Sequence, residues 1–375
     1  MGKRGNGEGS ITRRKDGLYM ARYTVQTDAG PNRRAIYAKT RKEASEKLTE
    51  AQANVQKGIT ADAGATTVGT FVERWLEDSV RGSVRQSTYD RNESICRVHL
   101  IPMLGRKKLK ALNAADVQRF YRDRLDSGLS SASVHKLHVV LHKALKQATR
   151  WGLVPRNVAD DVDPPKVHKE EVTPLTREEA RKFLDTVRGD RLEALYVVAV
   201  QCGLRQGELL ALRWEDVDLE ARTFQVRRTL AREGSKLSVG PTKTAKARRT
   251  VKLTQDATEA LRSHLARQLE EIGGAGDYWQ ESGLVFCTCK GTLVNPTNLR
   301  KRSFAPLLKR AGLPTMTFHQ LRHTAATILL LKNVNPKVVS EMLGHATIAI
   351  TLDTYSHVLP NMQDSAVAAM EEAFS

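Results

Sequence analysis

Cysteine is scarce in this chain: four in 375 residues, Cys96, Cys202, Cys287 and Cys289, and mostly isolated. A disulfide-stapled secreted scaffold is thereby excluded, Cys287-Thr288-Cys289 does not have zinc-pair spacing, and a reduced, cytoplasmic setting is expected. Long apolar runs are missing too. The longest, Leu195 to Leu204, holds Gln201 and falls short of the ~20 residues that cross a bilayer. Lys3, Arg4 and Glu8 flank glycines with no apolar stretch behind them, so no signal peptide is expected, and no amphipathic anchor suggests a membrane partner. There is no Gly-x-x-x-x-Gly-Lys-Ser/Thr loop, which argues against nucleotide hydrolysis. No carboxylate cluster stands beside the histidines to build a two-metal site, and neither a metal nor another cofactor is expected.

Positive charge is what the chain has in excess. Lys and Arg number 60 against 42 Asp and Glu, a net charge of +18. Such a balance favours a polyanionic partner, and its spread over every segment favours a protein that wraps nucleic acid. The length implies two to three domains. Residues 1–58 read as a small unit. Polar and apolar residues alternate from Ser10 to Val25 around a Lys15-Asp16-Gly17 turn, a third strand spans Ala35 to Ala38, and a helix is capped by Thr40 and Glu43. Its sheet face is expected to offer Arg13, Arg14, Lys15, Arg22, Arg33 and Arg34. A linker covers 59–66.

Helical spacing takes over at 67–160. Val68, Phe71, Val72, Trp75 and Leu76 share one face. A second helix, Thr88 to His99, is expected to stop before Ile101-Pro102. A third starts at Asn113 with Asp116 as its box partner. A fourth, from Ser131, carries Leu137, Val140, Leu141, Ala144, Leu145 and Ala148 inward and Lys136, Lys143, Lys146 and Arg150 outward, ending at Trp151-Gly152. Residues 161–173 are a proline-marked hinge. The last domain, 174–375, opens with a Thr176/Glu179 cap and a buried helix closed by Gly203. Strands at Phe224 to Arg228, Lys236 to Val239 and Arg249 to Leu253 are expected to form one small sheet, with helices to the end. The fold class is multidomain and mainly α: a three-stranded sheet with a helix, an all-α domain, then a mixed, mainly helical domain.

The chemistry concentrates between Phe318 and Pro360, where His319, Arg322, His345 and Tyr355 follow in order, with Arg205 and Glu208 upstream. Two arginines can grip both non-bridging oxygens of a phosphate diester in a way lysine cannot match. Fixed cations aimed at the equatorial oxygens of a phosphorane-like transition state lower the barrier itself. Tyr355 is a candidate nucleophile. With a phenol pKa near ~10 it must lose its proton during attack, and His319 is the candidate acceptor, with His345 as a further hydrogen-bonding group. His357 is read as incidental.

The motifs Gly203-Leu204-Arg205-x-x-Glu208, His319-x-x-Arg322, Leu343-Gly344-His345 and Tyr355-Ser356-His357 resemble, in order and spacing over the last two hundred residues, those of the tyrosine recombinases, specifically the phage and mobile-element integrases. The resemblance implies a site-specific DNA recombinase that cuts and rejoins strands without metal or ATP, through a 3′-phosphotyrosine and a Holliday junction. Its catalytic set would be Arg205, Lys243, His319, Arg322, His345 and Tyr355, with Glu208 fixing Arg205. The family sets its lysine on a β-hairpin that protonates the 5′ oxygen leaving group; Lys243 fits that place, while Lys246 stays open and Arg248 is expected to touch phosphates with it. The small amino-terminal unit resembles an arm-site DNA-binding domain and the helical domain (SAM-like) a core-site clamp. A tail helix carrying Val367, Met370 and Phe374 would link protomers of a tetramer on double-stranded DNA, with DNA-bending or directionality factors as compatible partners. Two alternatives stand beside this: a type IB topoisomerase, which would work as a monomer on one duplex, and a non-catalytic DNA-binding regulator, which a complete catalytic set disfavours.

Overall fold

The chain's elements were followed in a computed structural model that describes residues 9–27, 30–56, 65–167, 173–233, 236–242, 247–355, 367 and 370–375. Two compact units divide it, Met1–Lys169 and Glu170–Ser375. In the first, alternating residues pair as an antiparallel sheet of β1 (Ser10–Arg13), β2 (Tyr19–Thr27) and β3 (Gly30–Ala38). Ala21 and Ala38, with Ile11, Tyr19, Tyr23 and Ile36 beside them, pack on Ala44 and Leu48 of α1 (Arg41–Gln56). Thr40 caps this helix by accepting from the Glu43 N–H, and the Glu43 carboxylate accepts from the Lys39 N–H.

The register corrects the expected basic face. Arg13 lies opposite Tyr19 and Arg34 opposite Tyr23, so both rise on the side that α1 covers. Arg22 and Arg33 fall on the other face, because side chains alternate with period two and neighbouring arginines cannot share one. Arg14 and Lys15 sit in the turn, from which the Arg14 guanidinium stacks on the exposed ring of Tyr37.

The helical part of this unit is built on Phe71, Phe120, Tyr121, Leu141 and Leu145, all essentially inaccessible to solvent. Its helices are α2 (Val68–Trp75), α3 (Gln86–Ile95), α4 (Ile101–Leu104), α5 (Ala114–Asp126) and α6 (Ser131–Arg150). The box between Asn113 and Asp116 is formed in both directions, and Gly152 ends α6 region with φ +66°. The expected stop before Ile101-Pro102 does not occur. A π-helical turn over Cys96–Leu100 carries α3 into α4, and the Ile101 N–H reaches back five residues to the Cys96 carbonyl. Widening the helix just before Pro102 accommodates a residue with no N–H to donate. Lys136, Lys143, Lys146 and Arg150 form an exposed stripe on α6.

In the second unit a two-way box of Thr176 and Glu179 opens α7 (Arg177–Thr186). Helix α8 (Glu193–Cys202) is buried almost all round, and Phe183, Tyr196, Phe304 and Phe318 pack on one another mostly edge to face around it. After the short α9 (Gln206–Leu209), the strands make two sheets rather than one. β4 (Val217–Asp218), β5 (Thr223–Val226) and β8 (Arg249–Lys252) form the first; β6 (Arg228–Glu233) and β7 (Lys236–Pro241) pair separately. Arg227 and Arg228 both turn to the buried carboxylate of Asp216, which consecutive residues of one flat strand cannot do, and the chain breaks there. Among the described residues, β7 and β8, the strands that flank Pro241 and Arg249, pair with β6 and β5 respectively and not with each other. Helices follow as α10 (Gln255–Ala275), α11 (Pro296–Asn298), α12 (Ala305–Arg310), α13 (His319–Leu331), α14 (Pro336–Leu343) and α15 (Ile348–Tyr355). Among the described residues no helix is long and apolar enough to cross a membrane. The tail residues Val367, Met370 and Phe374 are helical and exposed.

Candidate active site

Gly203 ends α8 with φ +63°, a conformation that costs side-chain-bearing residues, and any Cβ there would meet Leu343 at 2.7 Å. The turn releases Arg205, which heads α9. Its Nη1 donates to Glu208 Oε1 at 2.7 Å and its Nη2 to the Gly344 carbonyl at 3.2 Å. The other Glu208 oxygen accepts from Arg249 Nη2 at 2.9 Å. Burial works against the Glu208 charge, but the Arg249 and Arg205 guanidinium groups overcome it and hold the carboxyl below the usual range.

Arg249 was legible in the sequence only as one cation of a basic run, yet it is a cross-brace. It also donates from Nε to the Met342 carbonyl at 2.6 Å and from Nη1 to Ala247 at 3.1 Å. Gly344, at φ +68°, lets the arginine pass: a Cβ there would lie 2.8 Å from Arg249 Nη1. Leu343-Gly344-His345 is thus shaped by a side chain from a distant strand.

Arg322 projects from α13 and is 2% exposed. Nη1 donates to the Gly203 carbonyl at 2.9 Å, and Nη2 is buried with no partner. Burial and then the Arg205 charge push the group down to about 9, so it remains a cation at neutral pH. A buried, unpaired guanidinium N–H is costly unless a ligand satisfies it.

His345 follows α14, its Nδ1 2.7 Å from the Thr351 hydroxyl of α15. His319 begins α13, four residues before His323, and their rings meet edge to face at 4.9 Å. That spacing suits two imidazoles sharing a metal and the sequence reading passed over it, but His323 is engaged otherwise. Its Nδ1 lies 2.8 Å from Tyr355 Oη, so the imidazole brought to the phenol is His323 and not the expected His319. Tyr355 is 3% exposed, its ring set among Ala326, Leu330, Val339 and Leu343, and burial pushes its hydroxyl up to about 12. Burial pushes His323 and His345 down to about 4, reinforced at His323 by His319 and then Arg322, and at His345 by Arg322, Arg205 and Arg249. His319 is lowered by desolvation and then by Arg322 and Arg205.

These shifts have a consequence for stability. Unfolded imidazoles take up protons near pH 6.5, whereas the folded ones resist until about 4, so between those values the unfolded chain binds more protons. Folding stability therefore falls as pH drops through that window. Thermal melts of the full chain should show a midpoint declining from pH 6.5 toward 4, with a shallower decline for His345→Asn; a flat profile for the wild-type chain contradicts the assignment.

Lys243 and Lys246, both candidates for the leaving-group acid, lie outside the described residues, as does His357. Next to that segment, exposed Arg248 lines a cavity of about 420 Å³ with Arg227, Arg228, Val239, Gly240 and Pro241. Arg227 and Arg228 were not singled out from sequence, and nothing in the local pattern separated them from other surface cations. The Arg205, Glu208, Arg322, His319, His345 and Tyr355 side chains are the ones this unit draws toward one place, with His323 and Arg249 added to them.

The arrangement has relatives. The model of the phage integrase family matches residues 173–362, and that of the phage integrase amino-terminal SAM-like domain matches residues 67–125. A XerC-like tyrosine recombinase of Caldanaerobacter subterraneus subsp. tengcongensis is 32% identical over 96% of this chain and 98% of its own length. An integrase of Streptomyces ambofaciens is 32% identical over 88% of this chain and 86% of its own. In fold, the chain is similar to the Tn1549 transposon integrase in complex with a circular intermediate DNA, with a TM-score of 0.69 and 24% identity over 82% of this chain and 99% of that one. It is similar also to a lambda integrase dimer bound to a core site, with a TM-score of 0.58 and 17% identity over 96% of this chain and 97% of that one. With one matched segment covering the site just described and a full-length relative 32% identical, the chain belongs to the phage integrase family, the tyrosine recombinases, and is a DNA strand-transfer enzyme.

Proposed function

We propose that this site-specific recombinase cuts DNA by attack of Tyr355 on a phosphodiester held between Arg205 and Arg322, leaving a 3′-phosphotyrosine and a free 5′ hydroxyl. The observation that carries this is the unpartnered, buried Nη2 of Arg322, in a site that also gathers Arg205, His319, His345 and the phenol. Glu208 fixes Arg205 without touching substrate. His319 and His345, held neutral at physiological pH, can hydrogen-bond phosphate oxygens and pass protons. Lys243, or Lys246, protonates the leaving oxygen. The diester energy is retained in the tyrosyl link, so rejoining requires no nucleotide.

Around this chemistry we assign arm-site binding to residues 1–58, core-site binding to 67–160 and catalysis to 174–375. Arg22 and Arg33 on the open sheet face and Arg14 and Lys15 in the turn, all exposed, are the cations assigned to an arm duplex, and the α6 stripe of Lys136, Lys143, Lys146 and Arg150 to the core. The fold is shared with lambda integrase, which forms a tetramer on a Holliday junction. That likeness supports a tetramer here, joined by tail helices through Val367, Met370 and Phe374, and acting in the cytoplasm.

A two-duplex exchange assay tests the reading against the topoisomerase alternative. Labelled duplexes spanning the joined ends of the mobile element, incubated with EDTA and without ATP, should yield recombinant strands of hybrid length. Relaxation of supercoils without hybrid strands would favour single-duplex swivelling instead.

A further inference from the structure

Among the described residues one hydrogen bond reaches the Tyr355 hydroxyl, and the residue making it has no role in the reaction as described so far. His323 stands directly after Arg322 on α13, and its Nδ1 is 2.8 Å from Tyr355 Oη. The tyrosine ring contributes its flat body to an apolar socket of Ala326, Leu330, Val339 and Leu343. A socket of that kind fixes where the ring lies but not which way the hydroxyl leans, because aliphatic contacts are not directional. The imidazole supplies the direction. His323 is itself held by the His319 ring, packed edge to face at 4.9 Å, and by its place on a helix whose preceding residue is anchored to Gly203.

We propose that His323 is a positioning residue for the nucleophile, accepting the hydrogen bond of the Tyr355 hydroxyl and setting its distance from the phosphate held by Arg322 one residue earlier on the same helix. This rests on Tyr355 being the nucleophile. The phenol is pushed up to about 12 and the imidazole down to about 4, so the resting bond leaves the proton on oxygen. His323 therefore orients the hydroxyl and does not deprotonate it. The proton departs only as the O–P bond forms, toward groups at the phosphate. One helix then carries both the grip on the electrophile and the guide for the attacking atom, which fixes the approach without depending on loop order.

Single-turnover cleavage by the full chain tests this, using a nicked duplex that spans the joined ends of the mobile element. His323→Leu should slow formation of the covalent adduct about 10- to 100-fold, the scale expected of a misplaced reacting group, with Kd for the duplex unchanged. His323→Asn, whose amide falls near the Nδ1 position, should recover most of the rate, and His323→Gln, whose amide falls near Nε2, should not. A substrate with sulfur in the 5′-bridging position, which leaves without protonation, should not restore His323→Leu. A wild-type or faster rate for His323→Leu overturns the proposal, as does rescue by the sulfur substrate, which would put His323 on the leaving-group side. Should His323→Leu fail to fold, the Asn and Gln variants decide: equal rates overturn the proposal, and a faster Asn supports it. Tyr355→Phe runs in parallel, and an adduct in that variant would refute the nucleophile assignment itself rather than the role of His323.

Discussion

Tyr355→Phe should abolish the covalent protein–DNA adduct, a loss of roughly 10⁴-fold or more, while leaving DNA affinity intact. The substitution removes one oxygen and keeps the ring, so the socket of Ala326, Leu330, Val339 and Leu343 stays filled. What disappears is the hydrogen bond to His323, at about 1 kcal/mol of folding stability, a little more if the imidazole nitrogen stays buried and unpaired. The separation between a small change in melting and a complete chemical loss is the signature of a nucleophile. A denaturing gel with a nicked duplex reads the adduct, and a filter-binding titration reads the affinity. A persisting band in the variant would mean that another side chain attacks.

Arg322→Lys should lower the cleavage rate by about 10²- to 10³-fold, the loss typical of one transition-state donor. Lysine keeps the charge, so affinity for the duplex should fall far less than rate. It lacks the planar fork that lets one nitrogen satisfy the Gly203 carbonyl while the other is left for substrate. An ammonium in this 2% exposed position must choose between the two, and stability is expected to drop by about 1–3 kcal/mol as one buried acceptor or the cation itself goes unpaired. Single-turnover rates and Kd measured on one substrate separate the effects. A rate within tenfold of wild type would remove Arg322 from the phosphate clamp. Arg205→Lys makes the informative comparison, because Arg205 is half-buried and leans on the Glu208 carboxylate as well as on the Gly344 carbonyl, whereas Arg322 is fully buried and held by the Gly203 carbonyl alone among the described residues.

Much of this was readable in the chain because the signals are local. Asn113 with Asp116 and Thr176 with Glu179 mark helix starts three residues apart, and Gly203 marks an end by its own conformational freedom. The apolar stripe of α6 emerges from spacing alone. The motif residues Arg205, His319, Arg322, His345 and Tyr355 each lie inside a short recognisable string. What escaped depends on partners far away in sequence. Arg249 reads as one cation in a basic stretch until its reach to Met342, 93 residues on, is seen. His323 was hidden because its significance lies in a phenol 32 residues away. The break at Arg227-Arg228 needed the buried Asp216, and the passage through Pro102 needed a π turn that no propensity announces. The opposite faces of Arg33 and Arg34 were deducible from strand alternation, which a reading by charge alone overlooked.

The sharing of Glu208 between two arginines sets an electrostatic balance sheet for the whole site. Arg205, Arg249 and Arg322 bring three positive charges and Glu208 removes one, leaving two among the described residues. A phosphodiester in its ground state carries one negative charge and would leave the site over-positive. A pentacoordinate phosphorus species with two would make it neutral. On the proposed reading, the excess of cations favours the more highly charged species at the top of the barrier, and Glu208 acts by holding Arg205 and Arg249 in place, so changing Glu208 to glutamine would slow cleavage through a displaced Arg205 despite the added net charge.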